Sequence, residues 1–118
     1  MPIPALVGLG FEVVRALAAG DAAALGRLAT PELAAALGDP RRSREWLAEE
    51  SPWRQAAIGW AKKSSVKART DDAVGLVRFH EALGEAWLIE FAIGAAGVRL
   101  RGFRTMPDAV FEQFGRVV

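Results

Sequence analysis

The sequence predicts a single α+β domain, with helices in its N-terminal half and an antiparallel sheet in its C-terminal half. Proline and glycine divide the first half into short segments whose apolar residues recur at helical spacing. The second half alternates apolar and polar residues in runs that are separated by turn residues. A chain of 118 residues supplies one hydrophobic core, so we predict one domain over residues 1–118.

Three helices are predicted before the first strong break in the chain. Apolar residues recur at helical spacing over residues 4–20, and Gly20 is placed to end that helix. Asp21 is placed to cap a short second helix. Thr30, with a proline after it, predicts the start of a third helix that the Gly-Asp-Pro run at residues 38–40 ends.

Two further helix signals follow this break. Ser43 is placed to cap a helix over residues 44–50, and Ser51 with a proline after it gives another cap. The run from Trp53 to Ala61 fits both a helical face and a strand, so its periodicity leaves the structure open.

The second half predicts four strands joined as three successive hairpins, which form an antiparallel meander. A capping box at residues 105–108 then predicts a short C-terminal helix through Phe114. The predicted strands span residues 65–70, 73–81, 86–93 and 98–104.

Alternation along these strands assigns residues to two faces if the turns at Leu83-Gly84 and Ala95-Ala96 contain two residues each. The apolar face is predicted to lie under the helices and to end in a patch of Arg78, His80, Trp87 and Arg104. Its other members are Val74, Leu76, Ile89, Phe91, Ile93, Val98 and Leu100.

The opposite face is mixed, and it pairs Glu90 with Arg101 across two strands. Its apolar members are too many for plain solvent, so we expect a homodimer through this face. The residues assigned to that interface are Val77, Phe79, Leu88 and Phe103, and the remaining members of the face are Glu81 and Arg99.

His80 is the candidate catalytic residue, since it is the single histidine and its side chain titrates near neutral pH. Beside Arg78 and Arg104 it could act as an acid or base on an anionic or carbonyl compound. The alternative is a hydrogen-bonded or solvated histidine near a strand end. Glu90 has two readings as well, as a desolvated base or as the ion-pair partner of Arg101.

Tryptophan is frequent for the length of the chain, at positions 46, 53, 60 and 87. These rings could line an apolar pocket for a flat ligand, or they could form ordinary core. The residues predicted to contact a small apolar or anionic ligand are Arg78, Trp87, Arg104, Trp60 and Phe91.

Several function classes are disfavoured by composition. The net charge is +1 and acidic residues lie beside each basic cluster, so the sequence does not indicate a nucleic-acid-binding surface. The absence of cysteine and the single histidine leave no recognisable metal-ligand spacing, and no cofactor motif is present. The N-terminus shows neither a leader nor a membrane span, so we expect a cytoplasmic protein without a membrane contact.

Two stretches carry a resemblance to a known family. Residues 11–25 look like an opening helix, a Gly-Asp turn and a second helix, and residues 86–100 look like a final hairpin. Both resemble the nuclear transport factor 2-like fold, a cone-shaped family that includes ketosteroid-isomerase-like and polyketide-cyclase-like proteins. No tyrosine stands where an isomerase of this type would use one.

The resemblance implies a cone formed by helices and a curved sheet, on a fold that hosts enzymes, binding modules and dimerisation domains. We expect a domain that binds a small molecule in an apolar pocket. The alternatives are an isomerase, cyclase or hydratase that uses His80, and a partner-binding or dimerisation module with a filled core.

Overall fold

The computed structural model describes residues 2–62 and 66–115, without the side chains of residues 80–82. Within these residues, helices precede an antiparallel sheet and a short helix follows it, so the predicted α+β class is confirmed. The N-terminal helices are α1 (Ile3–Ala19), α2 (Ala22–Leu28), α3 (Pro31–Leu37), α4 (Arg44–Leu47) and α5 (Pro52–Trp60). The strands are β1 (Lys67–Thr70), β2 (Val74–Ala82), β3 (Glu85–Gly94) and β4 (Gly97–Pro107), followed by α6 (Asp108–Gln113).

Local chemistry sets the ends of the first three helices. Gly20 takes a left-handed conformation at φ 65° and ends α1. The Asp21 carboxylate accepts a hydrogen bond from the Ala24 N–H at 3.0 Å, and the Thr30 hydroxyl accepts one from the Leu33 N–H at 3.3 Å. Both predicted caps are confirmed.

Three predicted caps are wrong, because the residues are used differently. The Ser51 hydroxyl donates to the Glu45 carbonyl at 2.6 Å and makes no cap hydrogen bond to α5. Ser43 already has helical backbone angles, and its hydroxyl donates to the Pro40 carbonyl instead of capping α4. Thr105 belongs to β4, which continues to Pro107, so no capping box opens α6. The ambiguous run after Ser51 is helical in α5, where Trp60 and Ala57 share the buried face.

The sheet has the strand order β1-β2-β3-β4, and each neighbouring pair is antiparallel. The β2–β3 hairpin turns at Leu83 and Gly84 as predicted, and His80 pairs with Trp87. A β-bulge then shifts the register, so that Arg78 pairs with Leu88 and Val77 with Ile89.

A second bulge lies in the β3–β4 hairpin, where Phe91 pairs with Leu100 but Glu90 pairs with Gly102. An extra residue on one strand exchanges the two faces of the sheet beyond it. The predicted face assignment is therefore wrong past each bulge, although both turns were placed correctly.

The helix face of the sheet, which we define as the face packed against α1–α5, carries the larger core. Its strand residues include Val77, Phe79, Ile89, Phe91 and Leu100, all buried with the apolar side of α1. The outer face carries a smaller core in which Phe111 of α6 packs on Leu76, Ala86 and Leu88.

The predicted dimer interface is therefore wrong. Val77 and Phe79 are buried beneath the helices, and Leu88 is buried on the other side of the sheet under α6. Phe103 is half-buried against helical aromatic rings. Three of the four side chains are covered by the chain's own elements, and the four do not share one face.

Helix α1 lies directly against β2 because glycine permits a close approach. A Cβ atom built on Gly10 would lie 3.1 Å from Val77 Cγ1, and one built on Gly75 would lie 2.9 Å from Leu6 Cδ2. Contact at these distances leaves no room for a side chain on either residue without displacement of a core neighbour. The two glycines thus set how closely the helical layer packs on the sheet.

Candidate functional site

Aromatic rings from helices and strands meet between α5 and the helix face of the sheet. Trp53 is at the centre, with its ring centroid 4.9 Å from Trp87, 5.6 Å from Phe103 and 6.3 Å from Trp60. Trp46 of α4 contacts Phe103 at 6.1 Å. We call the half-buried residues Trp46, Trp53, Trp87 and Phe103 the aromatic cluster.

The positions of these residues in their elements explain why they converge. Trp53 and Trp60 are seven residues apart on α5, which is two helical turns, so both project from one side of the helix. Phe103 pairs with Ile89, two residues from Trp87, which brings the two rings together diagonally on one face of the sheet.

The inner end of this group is closed by ring packing. Trp60 is 2% exposed and stacks on Phe79 at 5.6 Å, and Phe79 in turn contacts the edge of Phe11 at 5.2 Å. The rings of Trp60, Phe79 and Phe11 thus fill the space between the helices and the sheet at this end. The aromatic cluster itself retains solvent-accessible ring surface, which is unusual for so many large aromatic side chains in one place.

The five residues predicted to contact a ligand lie in three different places in the structure. Trp87 belongs to the aromatic cluster, whereas Trp60 and Phe91 are buried in the core beneath it. Arg78 and Arg104 lie on the outer face, because the two bulges move them away from Trp87. The predicted patch therefore does not form as a single site.

His80 pairs with Trp87 through its backbone, next to the aromatic cluster. Its side chain lies outside the described residues. The enzyme hypothesis that rests on this side chain stays a prediction.

Arg78 attaches α6 to the sheet. Its guanidinium Nη1 donates to Asp108 Oδ1 at 2.5 Å and to Glu112 Oε1 at 3.1 Å, and its Cζ lies 5.1 Å from the centre of the Phe111 ring. Lys67 Nζ donates to Glu112 Oε2 at 2.6 Å. The pKa of Glu112 is lowered, and the hydrogen bond from Lys67 is the largest cause. Desolvation of the carboxylate raises this pKa, and the charge of Arg78 lowers it by a smaller amount. These contacts give Arg78 a structural role.

The predicted ion pair of Glu90 with Arg101 is confirmed, and the structure adds a second arginine. Arg101 Nε lies 3.3 Å from Glu90 Oε2, and Arg104 Nη1 lies 3.0 Å from Glu90 Oε1. A carboxylate with both oxygens engaged by guanidinium groups favours the ion-pair interpretation over the general base. Neither Arg104 at this carboxylate nor Phe103 in the aromatic cluster was predicted, because the bulges leave no signal in the alternation of apolar and polar residues.

A further groove of about 390 Å³ runs between α1 and α2. Its charged lining consists of Glu12 and Arg15 from α1, Asp21 at the helix junction and Arg27 from α2. Two acids and two bases balance one another, so this groove has no net preference for a charged ligand.

Comparison with protein-family models, with curated protein sequences and with solved structures finds no match to this chain. Across the described residues, no helix is long and apolar enough to cross a membrane. Within the same residues, no group of three or more histidine, aspartate or glutamate side chains could hold a metal ion.

Proposed function

We propose that this chain is a nuclear transport factor 2-like domain that binds a small, flat, apolar molecule at the aromatic cluster. The observation that carries the proposal is a set of four half-buried aromatic residues between α4, α5 and the sheet. Trp87 and Phe103 contact Trp53, and Trp46 contacts Phe103. Apolar pockets that bind small molecules are lined mainly by aromatic and aliphatic side chains.

The physical basis is the ring surface that the fold leaves uncovered. Covering apolar surface contributes about 25 cal/mol for each Å², so a flat molecule stacked on two or three rings gains several kcal/mol. The indole N–H groups of Trp46 and Trp53 offer polar contacts that could orient such a molecule. The filled inner end around Trp60 limits how deeply it could enter.

The resemblance to the family supports the location of this site. In a cone of helices and curved sheet, a ligand enters between the two layers, and the aromatic cluster lies between α5 and the helix face of the sheet. The observed order of helices followed by an antiparallel sheet is compatible with such a cone.

The experiment is a titration with indole and 2-naphthol, in which calorimetry measures both the heat of binding and the melting temperature. A ligand that binds the native state raises the apparent stability, so we expect saturable binding heat with a rise in melting temperature. Phe103→Ala removes one ring of the cluster and should weaken binding at least fivefold.

Ile58→Ala is the matched control, because Ile58 is an exposed apolar residue of the same helix as Trp53 but outside the cluster. The Ile58→Ala variant should bind indole and 2-naphthol with the same affinity as the original protein. If neither compound gives binding heat or a change in melting temperature at millimolar concentration, the rings form a closed core and the proposal fails.

A further inference from the structure

Two arginines of β4 share one carboxylate on the outer face of the sheet. The Glu90 side chain is only 12% exposed, and its two oxygens are taken separately by Arg101 and Arg104. The arginine side chains themselves are 57% and 54% exposed. The carboxylate is therefore enclosed, while more than half of each arginine side chain is exposed to solvent.

The bulge in β4 brings both arginines to this place. Without it, Arg101 would stand opposite Glu90 and Arg104 would fall beside Trp87 on the helix face. The extra residue moves the partner of Glu90 to Gly102 and the partner of Leu88 to Arg104. Bulges often redirect a side chain in this way next to binding sites.

Gly102 leaves open space in the groove that Arg101 and Arg104 line. A Cβ atom built on this glycine meets nothing within 4 Å. The space is a groove of about 340 Å³ lined by Glu90, Arg101, Gly102, Phe103 and Arg104.

The unused donors of the pair are suited to an oxyanion. A guanidinium carries five N–H bonds, and Glu90 engages only Nη1 of Arg104, by a hydrogen bond, and Nε of Arg101, as an ion pair. The shared carboxylate restrains both groups, so less freedom is lost when a ligand binds. Two arginines and one glutamate give the groove a net positive charge, and the oxygens of a tetrahedral anion point in enough directions to accept from both.

We propose that Arg101 and Arg104 bind the phosphate group of a small molecule in this groove. The arginines lie on the other face of the sheet from the aromatic cluster. The two sites share Phe103, which lines the groove and whose ring contacts Trp46 and Trp53. Binding of phosphate here would leave the indole titration unchanged, and each proposal can fail alone.

The test uses inorganic phosphate and phenyl phosphate as probes, with binding followed by calorimetry and by amide chemical shifts at low ionic strength. We expect saturable binding with shifts confined to residues around Gly102. Arg101→Ala and Arg104→Ala should each weaken binding at least tenfold. Arg99→Ala is the matched control, because Arg99 is an exposed arginine of the same strand that donates to the Arg27 carbonyl.

A steric variant separates a shaped site from general charge attraction. Gly102→Leu fills the groove and keeps both arginines, and the open space at Gly102 lets the fold accept the side chain. Loss of phosphate binding in this variant supports the site. Unchanged binding in Gly102→Leu, an equal loss in Arg99→Ala, or acetate bound as tightly as phosphate would each overturn the proposal.

Discussion

Leu83 occupies a backbone conformation that suits another residue type. It is fully exposed at the tip of the β2–β3 hairpin with φ 55°, and Gly84 follows with φ 79°. Two successive positive φ angles are typical of a type I′ turn, in which Asn-Gly is preferred because asparagine tolerates the left-handed region.

We expect Leu83→Asn to raise the free energy of unfolding by about 0.5–1 kcal/mol, since the left-handed region costs a leucine about 1–2 kcal/mol. Urea denaturation would measure the change. Leu83→Ala is the control, because alanine keeps a Cβ atom in the same conformation and loses only exposed surface. An equal gain in both variants would show that exposure rather than the backbone sets the stability of this turn.

At the scale of the element, α6 is held by charge on one side and by Phe111 on the other. Lys67 and Arg78 both donate to Glu112, and Arg78 also donates to Asp108. The pKa of Glu112 is lowered from its ordinary value of 4.5 in the folded protein, chiefly through the hydrogen bond from Lys67. Folding therefore favours the ionised carboxylate.

The sign of the pH dependence follows from this lowered pKa. The contribution of Glu112 is fully present above about pH 4.5, and it is lost as the pH falls through the lower pKa of the folded state. We expect Glu112→Gln to reduce stability at pH 7 and to flatten the pH dependence below pH 4.5, measured by urea denaturation from pH 3 to pH 7. Glu85→Gln, at an exposed position of β3, should leave both unchanged. A pH profile for Glu112→Gln that parallels the original would contradict the role of these ion pairs.

The elements themselves were largely predictable, whereas the pairing between them was not. Asp21 and Thr30 act as caps because a cap is decided by a few neighbouring residues. The bulges beside Phe79 and Arg101 depend on how β2 and β4 meet β3, which no local pattern in one strand specifies. Each bulge exchanges the two faces of the sheet beyond it. Most residues of the candidate sites were therefore predicted individually, but the face on which they lie was wrong for those beyond a bulge.

At the scale of the whole molecule, one sheet serves two cores. The larger core lies under α1–α5, and the smaller one joins Leu76, Ala86 and Leu88 to Phe111 of α6. Strands β2 and β3 contribute alternate residues to both, for example Leu76 to one and Val77 to the other. Because a strand cannot leave one core without disturbing the other, we expect both to unfold together.

Phe111→Ala tests this coupling. Phe111 is fully buried, so its removal should lower the free energy of unfolding by about 3 kcal/mol or more through lost burial and a cavity. Tryptophan emission reports the helix side of the sheet and far-ultraviolet circular dichroism reports the whole chain. In urea the two transitions should move to lower concentration together, while Val110→Ala, at an exposed neighbour on α6, should move neither. If the dichroism signal changed first and the emission transition stayed in place, α6 and the outer face would form a separate unit, and the sheet would not couple the two cores.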